Sequence, residues 1–173
     1  MKKLVMVLAA FALSSCAMKP IQLTQTFDEA EAQKYMKDGK NTIEASAVWR
    51  EKNGHLQTCA GYWVYLYPAT EYAKERLTHQ FGEGKRGFRT LRQGKQIFAP
   101  DEAQFHKLSK KTVCDVDGKF TFENVADGDY YIVTNIIWGD PEYPDEQTEG
   151  GALMHKVSVK GGQKIKRVLS PYL

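Results

Sequence analysis

The sequence is short of the features that announce an activity. It has three cysteines and no C-x-x-C pair, which removes the usual zinc and dithiol spacings. It contains no G-x-S-x-G, no G-x-x-x-x-G-K-[ST] and no H-E-x-x-H, so a nucleophile elbow, a P-loop and a zinc-protease helix have nothing to stand on. No internal repeat is visible. The longest apolar run, residues 4–13, is ten residues, half of the roughly 20 needed to cross a bilayer. Charge of one sign is also lacking: 24 Lys and Arg stand against 21 Asp and Glu for a net +3. Two of those cations, Lys2 and Lys3, precede the apolar run, so the rest of the chain is nearly neutral and offers no global attraction for nucleic acid.

What is present describes one domain with a substantial core. The 173 residues are 42% hydrophobic and 12% aromatic, too apolar for a disordered chain and about the size of a single domain.

Lys2 and Lys3, the apolar residues 4–13 and the small Ser14 and Ser15 before Cys16 have the order of an export signal. Leu13-Ser14-Ser15-Cys16 resembles the lipobox of bacterial lipoproteins. The resemblance implies cleavage before Cys16, acylation of its thiol and new amine, and a membrane anchor. Ala17, where Asp would favour inner-membrane retention, implies the outer membrane, periplasmic side, or the cell membrane if the source is Gram-positive. The competing reading is an ordinary secretory signal that contains a cysteine. In an exported protein the remaining pair, Cys59 and Cys114, is expected to form a disulfide, with zinc as the rival. None of His55, His79, His106 and His155 has ligand spacing beside either cysteine, and no cofactor is expected.

Residues 1–15 are thus read as a signal, 16–26 as a tether and 27–173 as one domain. A helix is expected over 26–39, capped by Thr26 and stopped by Gly39, with a second over 71–80 capped by Thr70 and closed by Gly82. From Thr42 the period changes to two: Ile43, Ala45, Ala47 and Trp49 alternate with Thr42, Glu44, Ser46 and Val48, and Asn53-Gly54 suits a hairpin. Residues 60–67 (AGYWVYLY) read as a buried strand, and further strands are expected over 112–116, 119–123, 130–138, 154–159 and 164–169. Asp117-Gly118 and Gly161-Gly162 would be hairpin turns. The sum is a mainly β protein, a sandwich of about seven strands with one or two short helices.

The run DGKFTFENVADGDYYI at 117–132 resembles the D-x-x-G-x-F-x-F-x-x-V-x-x-G-x-Y signature of carboxypeptidase-regulatory-like domains, which are transthyretin-like (prealbumin-like) β-sandwiches. Asp117 directly precedes Gly118, a departure that Asp115 could make good. The resemblance covers 112–169, implies fold, and carries no catalytic residue. It places Phe120, Phe122, Tyr130 and Ile132 between two sheets, on strands expected to pair as a hairpin.

Few side chains remain as candidate sites. Gly82-Glu83-Gly84-Lys85-Arg86-Gly87 spells G-x-G-x-x-G, but it follows a polar helix and opens no βαβ unit. Residues 82–95 read as an exposed excursion whose Lys85, Arg86, Arg89, Arg92 and Lys95 are candidate contacts for an anionic partner; a solvated loop is the plainer reading. Asp140, Glu142, Asp145, Glu146 and Glu149 form an acidic loop without calcium-loop spacing. Tyr62, Trp63, Tyr65 and Tyr67 cannot share one face of a strand, so helices must cover the second face or an exposed aromatic row serves a partner or carbohydrate. The expected function is that of a lipid-anchored, non-enzymatic cell-envelope lipoprotein, a binding or structural module facing the periplasm whose partner is an envelope protein or glycan. The alternatives are an outer-membrane assembly subunit of a secretion system and a hydrolase whose Ser46, Ser109 or Ser158 meets a histidine only in space.

Overall fold

The computed structural model describes residues 19–139 and 148–172. In chain order its elements are β1 (Ile21–Gln22), α1 (Glu29–Met36), β2 (Asn41–Arg50), β3 (Leu56–Thr58), β4 (Trp63–Pro68), α2 (Glu71–Phe81) and β5 (Arg86–Thr90). There follow β6 (Phe98–Ala99), α3 (Ala103–Lys107), β7 (Lys110–Val113), β8 (Lys119–Val125), β9 (Gly128–Trp138), β10 (Glu149–Val159) and β11 (Lys164–Leu169).

Two sheets enclose the main core. One has the order β5-β10-β9-β4-β7; in the other β2 pairs in parallel with β11 and antiparallel with β8 and β3. The alternation along β2 sends Ile43, Ala45, Ala47 and Trp49 inward, where they meet Val64, Leu66, Ile132, Ile136 and Leu153 of the facing sheet. Phe120, Phe122 and Tyr130 complete this layer as the sequence pattern requires. A second core covers the outer face of the five-stranded sheet: Tyr67, Tyr131 and Met154 lie under Tyr72, Ala73, Leu77 and Phe81 of α2 and under Phe105 of α3. Burying both faces of that sheet explains why 60–67 has no polar alternation.

The protein is mainly β, but its described residues make eleven strands in three sheets with three α-helices, not a single sandwich of about seven strands. β1 and β3 leave no sequence signal because two or three residues cannot display a period, whereas β7 starts two residues before the strand expected over 112–116. The third sheet is β1 beside β6, paired in parallel. Residues 21–25 therefore do not hang free as tether. Leu23 is buried, and the Glu75 carboxylate accepts hydrogen bonds from the Thr24 and Gln25 amides, which hold its acidity above that of an ordinary glutamate. The first helix is capped by Asp28, whose Oδ1 accepts from Glu31 N at 2.9 Å, and so starts later than a Thr26 cap would have it.

The basic excursion is also ordered: 86–90 is an edge strand on β10, disguised by its glycine and cations. Gly87 is needed there, since a Cβ would lie 2.5 Å from the Phe81 carbonyl at the end of α2. Neither glycine turn makes a hairpin. Asp117-Gly118 passes the chain from β7 in one sheet to β8 in the other, and Gly161-Gly162 passes it from β10 to β11. Likewise β8 and β9 are not partners: β8 pairs with β2, and β9 with β10 and β4.

Phe122 is buried from both sheets, so Phe122→Ala is expected to cost about 3 to 5 kcal/mol through lost burial and a cavity. Urea unfolding of the two proteins measures it; a change within error of zero would contradict the inter-sheet position.

Candidate functional site

The five cations of 82–95 do not form one patch. Along β5 the pleat turns Arg86 and Phe88 toward the inter-sheet side and Arg89 toward the outer face, where its register partner is Ala152. Three clefts receive the remaining cations separately: Lys85 lines one, Arg92 a second, and Arg89 with Lys95 a third.

The first cleft lies beside α2 and mixes Glu71, Glu75 and Glu83 with Lys74, Lys85 and Lys156, so it has no net sign.

The second, of about 460 Å³, opens at the end of the sandwich where β2, β5, β9 and the chain after β11 come together. Trp49 is its hub, 6% exposed, with ring centroids at 5.5 Å to Trp138, 5.7 Å to Phe88 and 6.4 Å to Tyr172. All three contacts are edge-to-face, the arrangement that the ring quadrupoles favour. Outward from this hub Trp138 is half-buried and Tyr172 is 67% exposed. Asn53, Thr90 and the Arg92–Glu149 pair, at 3.5 Å, supply polar groups around the rings. Alternation identified Trp49 as core; its partners Trp138 and Tyr172 come from 89 and 123 residues later, and no local signal brings them together.

The third cleft, about 390 Å³, lies on the outer sheet face between α2, α3 and the chain from β5 to β6. Its wall includes Arg76, 7% exposed, whose guanidinium lies 4.4 Å from the Phe98 ring centre and 5.1 Å from that of Phe105. Arg76 Nη1 donates to Tyr72 Oη at 3.3 Å and pairs with Asp101 at 2.8 Å. Tyr67 stacks on Phe105 and bonds to His106 Nδ1 at 3.1 Å. Burial, followed by Arg76, lowers the His106 pKa, and burial raises that of Tyr67. The Tyr67 hydroxyl and the His106 imidazole therefore meet as two uncharged groups sharing one hydrogen bond. The Gln96 amide donates Nε2 to the His79 carbonyl at 3.0 Å, leaving its buried Oε1 without a protein partner.

Other candidates fall in place around these clefts. Tyr67 is covered by α3 and Tyr65 stacks on it, whereas Trp63 stays 49% exposed with Lys111 Nζ 5.1 Å over its ring. Tyr62 donates to the Ile137 carbonyl from the other direction. Cys59 and Cys114 are joined by a disulfide with Cα atoms 5.7 Å apart. Gly82 ends α2 at φ +85°, donating to the Thr78 carbonyl, so the first glycine of the G-x-G-x-x-G run is a helix stop and the last lies in β5. Ser109 donates to the His106 carbonyl and Ser158 to Asp129. Among the described residues no three His, Cys, Asp or Glu are placed to hold a metal, and no helix is long and apolar enough to cross a membrane. Cys16 and the acidic positions Asp140, Glu142, Asp145 and Glu146 lie outside the described residues.

No protein-family model matches the chain, and no curated protein is significantly similar to it. A crystal structure of a Pseudomonas aeruginosa protein, provisionally described as carbohydrate-binding, superposes with a TM-score of 0.67 at 24% identity, over 84% of this chain and 98% of that one. A minor pilin of Streptococcus agalactiae superposes at a TM-score of 0.36 and 16% identity, over 78% of this chain and 44% of the pilin. The first likeness shows a shared fold; the second is too loose to carry an argument.

One buried histidine makes stability sensitive to acid. His155 points from β10 into the inter-sheet core with Nε2 unpartnered, and burial, then Arg86 and Arg167, lower its pKa from 6.5 to about 4. The unfolded chain binds a proton there between those values and the folded one does not, so this contribution is complete above pH 6.5 and is lost as pH falls toward 4. The loss amounts to about 3 kcal/mol. Denaturant midpoints at pH 7 and pH 4.5 should separate much less in His155→Leu than in the parent; equal separation would contradict the buried neutral imidazole.

Proposed function

We propose that the protein is a non-catalytic carbohydrate-binding module whose sugar site is the aromatic cleft at the end of the sandwich. The Trp49 hub, with Trp138 and Tyr172 standing out from it, carries the reading. A pyranose ring has an apolar C–H face and a polar rim. An aromatic ring propped upright by a buried partner and bordered by amide, hydroxyl and charged groups matches both at once. The carbohydrate-binding description of the structural relative supports the same class of ligand. In fold terms we read the two large sheets as an elaborated form of the carboxypeptidase-regulatory-like sandwich that 117–132 resembles. Oligosaccharides of glucose, galactose and N-acetylglucosamine, titrated while tryptophan emission is followed, test the site. At least one should bind, and Trp138→Ala and Tyr172→Ala should each weaken it by about tenfold or more. Absence of binding to all, or an affinity unchanged by both truncations, would overturn the assignment.

We further propose that the module works from the periplasmic side of the outer membrane, anchored by acyl chains on Cys16, with envelope glycan as its partner. The lipobox-like Leu13-Ser14-Ser15-Cys16 supports this placement. Cells fed a clickable palmitate analogue should label the parent protein and not Cys16→Ser. Equal labelling of the two would contradict the anchor.

A further inference from the structure

We propose that the cleft between α2, α3 and β5 is a second ligand site, selective for a hydroxylated anion: a sugar ring bearing a carboxylate or a phosphate. It is separate from the aromatic cleft, and its argument does not depend on the reading given to that cleft.

Three cations line it, Arg76, Arg89 and Lys95, against the one carboxylate of Asp101. Arg76 is the fixed member. Its guanidinium lies against Phe98 and Phe105, only Nη1 is engaged by Tyr72 and Asp101, and Nε and Nη2 have no protein partner among the described residues. A guanidinium desolvated to this degree on an aromatic surface, with donors to spare, binds an oxyanion without losing rotamer freedom. Arg89 is pinned as well, donating Nε to the Gly94 carbonyl at 3.2 Å and Nη2 to that of Gln93 at 2.6 Å, which leaves Nη1 unengaged. Lys95 is exposed at the mouth.

The anion needs hydroxyl groups because of Gln96. Its Oε1 is buried and unpartnered while Nε2 donates to the His79 carbonyl, and turning the amide over would set two oxygens against each other. That acceptor requires a donor, which a bare anion lacks and a sugar hydroxyl supplies. The His106 imidazole, hydrogen-bonded to Tyr67 through Nδ1, adds a polar ring at the same wall. The floor is Tyr67 and Val133 of the sheet, an apolar surface for the ring, and a volume near 390 Å³ lies at the small end of ligand sites, where a monosaccharide unit fits.

The test compares glucuronate, glucose 6-phosphate, inorganic phosphate and glucose on the isotopically labelled protein, with amide shifts at Gln96, Phe105 and His106 as the local readout. At least one of the two sugar anions should shift these amides at lower concentration than inorganic phosphate does, and glucose should not shift them. Which sugar anion binds more tightly distinguishes a carboxylate from a phosphate source. Lys95→Glu, at an exposed position that leaves the fold intact, should weaken sugar-anion binding by about tenfold or more. Gln96→Leu should weaken the sugar anions and leave inorganic phosphate unchanged. No shift with any probe, glucose shifting the same amides as strongly, phosphate binding as tightly as both sugar anions, or affinity unchanged in Lys95→Glu would each overturn the proposal.

Discussion

The chain crosses between the two large sheets four times from β3 to β11, and the fold depends on holding those passages in place. Two clamps do so. At one, Cys59 and Cys114 join the β3-to-β4 and β7-to-β8 passages, and backbone bonds from Gly61 to the Cys114 carbonyl and from Cys114 to the Tyr62 carbonyl run beside the disulfide. A link closing 55 residues restricts the unfolded chain by about 4 kcal/mol on the loop-entropy model. At the other, fully buried Asn41 donates to the Val125 carbonyl at 2.8 Å and to Asp127 Oδ1 at 2.9 Å, while its own Oδ1 accepts from Gln163 N at 2.8 Å. Asp127 also accepts from Gly161 N, so a single amide fastens the β8-to-β9 and β10-to-β11 passages. These bonds hold the Asp127 carboxyl below the usual aspartate range, with Asn41 the main cause.

Clamping the passages gives the clefts their geometry. Trp49, Cys59 and Cys114 belong to one packed cluster, and Tyr62, three residues after Cys59, reaches the Ile137 carbonyl next to Trp138. The disulfide end of the core is thereby continuous with the aromatic hub. On the opposite face of the five-stranded sheet, α2 and α3 cover Tyr67 and stop short of Val133, and the third cleft forms where that cover ends. The pleat of β5 connects the two sites: Phe88 belongs to the aromatic end, while Arg89, one residue later, belongs to the cationic cleft. One strand thus serves two clefts of different chemistry.

Local signals in the sequence carried much of this. The alternation through Trp49, the Thr70 cap and Gly82 stop of α2, and the burial of Phe120, Phe122, Tyr130 and Ile132 follow from spacing and turn chemistry. The glycine turns marked reversals correctly but not their destinations, because a glycine at φ +73° such as Gly118 permits a hairpin and a sheet crossing equally. β5 looked like a loop because an edge strand beside a helix end needs glycine and tolerates cations, the same residues that mark solvated coil. The sites were least legible. Trp49 meets Trp138 and Tyr172, and Arg76 meets Phe98 and Phe105, only through tertiary packing. The five cations of 82–95 are neighbours in sequence, whereas the fold disperses them among three clefts and the inter-sheet side.

The most direct measurement of the account is a crystal structure of the protein with a bound oligosaccharide. The account predicts a sugar ring against the face of Trp138 or Tyr172, with its hydroxyl rim toward Asn53, Thr90 or Glu149. A saccharide seated elsewhere on the molecule, with the aromatic cleft unfilled at saturating concentration, would contradict it.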